Sequence, residues 1–106
     1  MEKLDGLPTA FFCANDAGAI SVYRTLRAMG LRIPEDVSVM GFDDTEVSAL
    51  VSPELTTMRV HKELMGRKAF LRLLEKLKDR TGPSVRERLL ISAEIVERQS
   101  VRKIQF

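Results

Sequence analysis

A chain of 106 residues and 12.0 kDa has room for one modest hydrophobic core. Its composition, 44% hydrophobic and 30% charged with six Gly and four Pro, is ordinary for a globular protein. The net charge is +2 with both signs interspersed, even along the basic-leaning stretch from Arg86 to Lys103, so the concentrated basic face of a DNA-binding domain is absent. No apolar run approaches the ~20 residues that span a bilayer. The opening MEKLDGLPT lacks the apolar stretch of a signal peptide.

In chain order, Pro8 precedes TAFFCA, a continuous apolar run that predicts a strand buried on both faces. The single thiol, Cys13, lies in this run. It excludes an intrachain disulfide and reads as a small hydrophobe. Asn15-Asp16 then opens a helix, for which Asp16 is the expected N-cap. Ala19, Val22, Tyr23, Leu26 and Met29 share one helical face, and Gly30 ends the helix as a C′ residue. Pro34-Glu35-Asp36 is a turn before a second strand, Val37 to Phe42. Asp44 is expected to cap a short helical stretch, Glu46 to Leu50, that Ser52-Pro53 breaks. Leu55 to Val60 predicts a third strand. A longer helix is expected from about Lys62 to Asp79, with Gly66, Phe70, Leu73, Leu74 and Leu77 on one face. Gly66 there suggests close backbone approach, and Thr81-Gly82-Pro83 ends the helix. Arg88 to Ile91 and Glu94 to Glu97 are expected as two short strands.

This alternation predicts an α/β layered domain with a mainly parallel sheet, whose functional loops sit at the carboxyl ends of the strands. Two such loops stand out, Asn15-Asp16 and Asp43-Asp44. Asn offers a donor and an acceptor and Asp two acceptors, a set that suits sugar hydroxyls or a nucleobase edge. The same residues also dominate plain caps and turns. With Asp16 and Asp44 as the better caps, Asn15 and Asp43 are the better ligand contacts.

Catalysis finds little support. His61, the only histidine, sits at a predicted helix start without a catalytic partner. The Asp43-Asp44 carboxylates diverge from one turn and have no further ligand cluster, which argues against a metal site. No GxGxxG, P-loop or GxSxG sequence occurs, and no cofactor is expected. Ile20, about 100° off the apolar stripe of the first helix, and the apolar segment Val47 to Val51 fit either core packing or self-association.

The segments FCAND, MGLRIPEDVSV, GFDDT, SPELTTMRV, LMGRKAFLRLLEKL and LLISAEIVERQSV, in this order and spacing, resemble the effector-binding domain of LacI-type transcriptional repressors across nearly the whole chain. The resemblance implies a periplasmic-binding-protein-like fold in which two α/β lobes clasp a small molecule. Residues 1–106 would form part of the second, C-terminal lobe, an incomplete three-layer α/β/α unit. The DNA-binding helix-turn-helix, the first lobe, and the first strand and helix of this lobe would lie outside it. Apolar surface beside TAFFCA should therefore be exposed.

By the same resemblance, Asn15 and Asp43 hydrogen-bond the effector. The position after TTMR, commonly Gln in the family, is Val60 here, a departure that points to a less polar effector. Ile20, Arg24, Val47, Leu50 and Val51 fall where the family's lobes meet in a homodimer. The implied function is a non-catalytic, cytoplasmic regulatory module that binds a sugar or purine-like effector. It would reach operator DNA only through the missing N-terminal domain. The alternative is the C-terminal lobe of a periplasmic sugar-binding protein of an ABC transporter.

Overall fold

The computed structural model describes residues 6–82 and 85–104. In chain order it contains β1 (Ala10–Phe12), α1 (Asp16–Ala28), β2 (Ser38–Met40), α2 (Glu46–Leu50), β3 (Thr57–Arg59), α3 (Lys62–Lys78) and β4 (Glu94–Val96). These fall into two compact units, Met1–Val60 with Glu94–Phe106, and His61–Ala93.

In the first unit β1 pairs in parallel with β2, in the register Ala10↔Ser38 to Phe12↔Met40. Two parallel bridges, Met40↔Thr56 and Asp43↔Arg59, join β2 to β3, with Gly41 N–H donating to the Thr56 carbonyl and Asp43 N–H to the Met58 carbonyl, both at 2.9 Å. β3 pairs with β4 antiparallel. The α/β lobe is thus present as two short two-stranded sheets, β1-β2 parallel and β3-β4 antiparallel, linked by the two parallel bridges, so that β4 is the antiparallel member. Its strands are shorter than the apolar runs that mark them.

Helix α1 supplies one side of the core. Ala19, Tyr23 and Leu26 are buried with Ile33, Val37, Val39 and Leu55, while Val22, Leu31, Phe11, Cys13 and Val51 pack against that cluster in part. Burial pushes the Cys13 thiol up from its ordinary pKa, consistent with a small hydrophobe. The helix ends as its Gly30 predicts. Gly30 has φ +75°, its N–H donates to the Arg27 carbonyl, and Leu31 N–H donates to the Leu26 carbonyl, both at 2.9 Å. This is a Schellman closure, and its two apolar residues, Leu26 and Leu31, both join the core.

The N-terminus of α1 corrects the expected cap. Asn15, not Asp16, is extended at φ −156°, and its Oδ1 accepts from Gly18 N–H at 2.6 Å. Asp16 is already helical and wholly buried. At the start of α2 the N-cap residue is Thr45, not Asp44, and Thr45 makes no side-chain cap bond.

TAFFCA is not buried on both faces as its apolar run predicts, because Ala10 and Phe12 are exposed and Phe11 is only half-buried. The apolar surface expected beside it is open. Phe12 is 67% accessible, and an open groove of about 260 Å³ runs between Leu7, Phe11, Val22, Leu26 and Met29. In the second unit α3 spans its expected length, but none of its residues is buried. Phe70, Leu73 and Leu77 stand exposed, and nothing lies within 4 Å of a Cβ built on Gly66, so the close approach expected there does not occur. Arg88 to Ile91 forms no strand. Pro83, expected to help end α3, lies outside the described residues.

Candidate functional site

The carboxyl ends of β1, β2 and β3 lie side by side and carry the predicted contacts in order. Asn15 follows β1, Asp43 follows β2 and Val60 follows β3. Asp16 N–H donates to the Phe42 carbonyl at 3.0 Å, which binds the first loop to the second. The Asp43↔Arg59 bridge sets the second loop beside the residue before Val60. Sequence-distant residues 15, 43 and 60 therefore share one rim.

Their side chains are not equally free. Asn15 is exposed, but its Oδ1 is committed to Gly18, so its amide NH₂ is the group left to offer. Asp43 is half-buried, and among the described residues its carboxylate takes no hydrogen bond or ion pair. Val60 is half-buried and apolar. The rim thus combines a carboxylate acceptor, an amide donor and an apolar wall.

Two polar networks hold this rim, and both use residues expected only as caps. The buried carboxylate of Asp16 accepts from Thr45 N–H at 2.7 Å, Thr45 Oγ1 at 2.9 Å and Thr57 Oγ1 at 2.7 Å. It therefore ties the segment after β1 and the start of β3 to the start of α2. Asp44 accepts from Arg98 Nη2 at 2.8 Å, Arg59 Nε at 2.9 Å and Ser48 Oγ at 3.2 Å. Burial pushes the Asp44 carboxyl up, but hydrogen bonds from Arg98 and Arg59 outweigh it and hold the group below the ordinary aspartate range. Asp43 and Asp44 both have positive φ, +113° and +56°.

The sequence reading missed three residues of this support: Thr57, Arg98 and Ser100. Ser100 is buried, accepts from Thr56 N–H at 2.8 Å and donates to the Val39 carbonyl at 2.5 Å.

The expected self-association residues divide. Arg24, Val47 and Leu50 are exposed, Leu50 by 80%, and Ile20 is half-buried. Val51 instead packs in part on the core. Tyr23 Oη donates to the Pro53 carbonyl at 2.9 Å, and Arg27 reaches the Ser52 carbonyl, so α1 and the segment after α2 are joined. His61 occupies the N-cap position of α3 without a side-chain cap bond. Among the described residues no three His, Cys, Asp or Glu side chains converge as a metal site would need, and no helix is long and apolar enough to cross a membrane.

The profile of the periplasmic binding protein-like domain matches residues 1–101. The HTH-type transcriptional repressor PurR of Aliivibrio salmonicida is 39% identical over 98% of this chain and 31% of its own length, and that of Vibrio cholerae is 42% identical over 95% and 30%. Among solved structures, a LacI family transcriptional regulator from Enterococcus faecalis with bound ribose superposes with a TM-score of 0.83 at 32% identity, over 92% of this chain and 36% of that one. The lac repressor dimer bound to operator and an anti-inducer gives 0.81 at 35%, over 90% and 32%. The regulator CelR in complex with cellobiose gives 0.80 at 36%, over 87% and 28%. The chain spans about a third of the length of these relatives. It belongs to the periplasmic binding protein-like domain family, in the form carried by LacI-type transcriptional regulators.

Proposed function

We propose that residues 1–106 form part of the C-terminal lobe of an effector-binding domain, and that the whole protein is a cytoplasmic regulator whose operator affinity follows effector binding. Asp43, Asn15 and Val60 contact the effector, a sugar or purine-like molecule, and no bond is made or broken in it. Ile20, Arg24, Val47 and Leu50, with Val51 behind them, meet a second copy in a homodimer. Operator DNA is held by an N-terminal domain outside these residues.

One observation carries this reading: a half-buried Asp43 carboxylate, without a hydrogen-bond or ion-pair partner among the described residues, stands at the meeting of three parallel strand ends, on a loop joined to that of Asn15. Ligands of open α/β sheets bind at such ends, and a carboxylate accepting from hydroxyls or ring N–H groups gives strong directional bonds. Val60 would face the less polar part of the ligand. The relatives and structures named above are regulators, which favours this reading over a transport receptor.

The test is calorimetric titration of the protein from the complete open reading frame with cellobiose, ribose, lactose and purine bases. Saturable binding to one of them, weakened by roughly 1.5–3 kcal/mol in Asp43→Ala as for a lost charge-assisted hydrogen bond, is the expected result. Undiminished affinity in a folded Asp43→Ala protein removes Asp43 from the site.

A further inference from the structure

The loop that carries Asp43 is bent in an unusual way. Two consecutive non-glycine residues, Asp43 and Asp44, have φ of +113° and +56°. Such conformations persist only where the surroundings over-determine them, and they collect at functional sites. Here the surroundings can be named. Asp43 N–H donates to the Met58 carbonyl at 2.9 Å, Asp44 N–H to Thr57 Oγ1 at 3.3 Å, and the Asp44 carboxylate is gripped by Arg98, Arg59 and Ser48.

The two arginines are not equivalent. Arg59 is half exposed at 49%, so water competes with its contact, whereas the Arg98 side chain is only 14% accessible and its ion pair is shielded. Arg98 is also anchored beyond Asp44. Its Nη1 donates to the Leu55 carbonyl at 2.9 Å and to Ser48 Oγ at 2.8 Å, and its own N–H donates to Thr56 Oγ1 at 2.9 Å. One guanidinium fork thus spans the start of β3, α2 and the loop, a geometry that a planar five-donor group can satisfy and an ammonium cannot.

We propose that Arg98 is a positioning residue for the effector site: by holding Asp44 it fixes the left-handed loop that presents Asp43 at the rim. This rests on the reading of Asp43 given above. Arg98 acts through Asp44 and does not touch the effector. The Asp43 carboxylate, with no side-chain partner among the described residues, depends on the backbone behind it for its aim.

The test pairs amide hydrogen exchange with titration of cellobiose and ribose, on the wild-type protein and on Arg98→Gln, Arg98→Lys, Asp44→Asn and Asp43→Asn. Loss of the Arg98 grip is expected to speed exchange at Asp43 to Thr45 by roughly tenfold or more, the size of a lost charge-assisted hydrogen bond. The amides of Leu26 and Val39 should be unchanged, and affinity for whichever sugar binds should fall in step. Asp44→Asn, which keeps the side chain's shape, should show the same local loosening, and Arg98→Lys should restore part of it. Asp43→Asn should lose affinity with loop exchange unaltered. Exchange unchanged at Asp43 to Thr45 in both Arg98→Gln and Asp44→Asn overturns the proposal. So does a uniform rise through the core, which would make Arg98 a general structural support. Wild-type protein that binds neither these sugars nor lactose nor purine bases counts against the effector reading alone, and the exchange pattern still decides the clamp.

Discussion

Gly41 and Asp16 are packed so closely that a Cβ on Gly41 would lie 2.3 Å from the Asp16 carboxylate and 3.3 Å from the Asp16 Cα. Leu55 closes the third side at 2.8 Å. None of these neighbours can retreat easily: the carboxylate is held by Thr45 and Thr57, the Cα is helical backbone, and Leu55 is fully buried. The glycine before Phe42 is therefore required by space. Gly41→Ala should destabilise the fold by about 2–3 kcal/mol, as for other overpacked sites, measured as a lowered urea midpoint. An unchanged midpoint would mean that the loop yields where the packing says it does not.

The exchange of roles between Asn15 and Asp16 gives a second expectation. Asn15 makes one cap bond at an exposed helix start, so Asn15→Ala should cost about 1 kcal/mol. Asp16 accepts three bonds in a buried setting, and Asp16→Asn turns an NH₂ toward donors that need an acceptor. Its cost should be the larger, about 2–4 kcal/mol. Denaturation of the two variants side by side checks the order. Equal losses would return Asp16 to the role of an ordinary cap.

What the sequence made legible was local. The Schellman end of α1 was readable because Gly30, Leu31 and Leu26 lie within five residues, and the helical periodicities of α1 and α3 placed both helices. The strand ends, and so the rim residues Asn15 and Asp43, followed from apolar runs meeting polar turns, whereas Val60 was marked only by the family resemblance. The networks behind them were not readable in the same way. Asn and Asp are equally good caps, and the choice between them is made by a tertiary bond, Asp16 N–H to the Phe42 carbonyl. Asp44 and Arg98 are 54 residues apart, and no local pattern pairs them. Of the two strands expected near the end, Glu94–Val96 forms and pairs with β3, while Arg88 to Ile91, apolar enough for a strand, pairs with none.

The Asp44 clamp has a pH signature with a definite sign. Its folded-state pKa is depressed below the ordinary 3.8 because bonds from Arg98 and Arg59 outweigh the opposing effect of burial. A depressed carboxylate adds stability that is fully present above the unfolded-state value and is lost as pH falls through the folded-state value. Stability should therefore hold at neutral pH and decline below about pH 4. Asp44→Asn should flatten that acid limb relative to wild type. Thermal melts of both proteins between neutral and acid pH decide it, and parallel limbs would mean that other carboxylates carry the acid sensitivity.

Self-association is best probed at Leu50, not at Val51. Val51 packs on the core cluster, so a charge there would damage the fold and the interface together. Leu50 is 80% exposed on the last turn of α2. Leu50→Glu should thus shift the melting temperature of the monomer by no more than about 2–4 °C, because exposed substitutions rarely change stability by more than about 0.5 kcal/mol. If Leu50 meets a second copy, the same change places an unpaired carboxylate in an apolar contact and should weaken dimerisation by about 3 kcal/mol or more. In sedimentation velocity the dimer boundary would shift to monomer at micromolar concentration while circular dichroism stays native. A dimer that survives Leu50→Glu with unchanged affinity would move the interface away from α2, leaving Ile20→Glu and the charge reversal Arg24→Glu on α1 as the next changes to make.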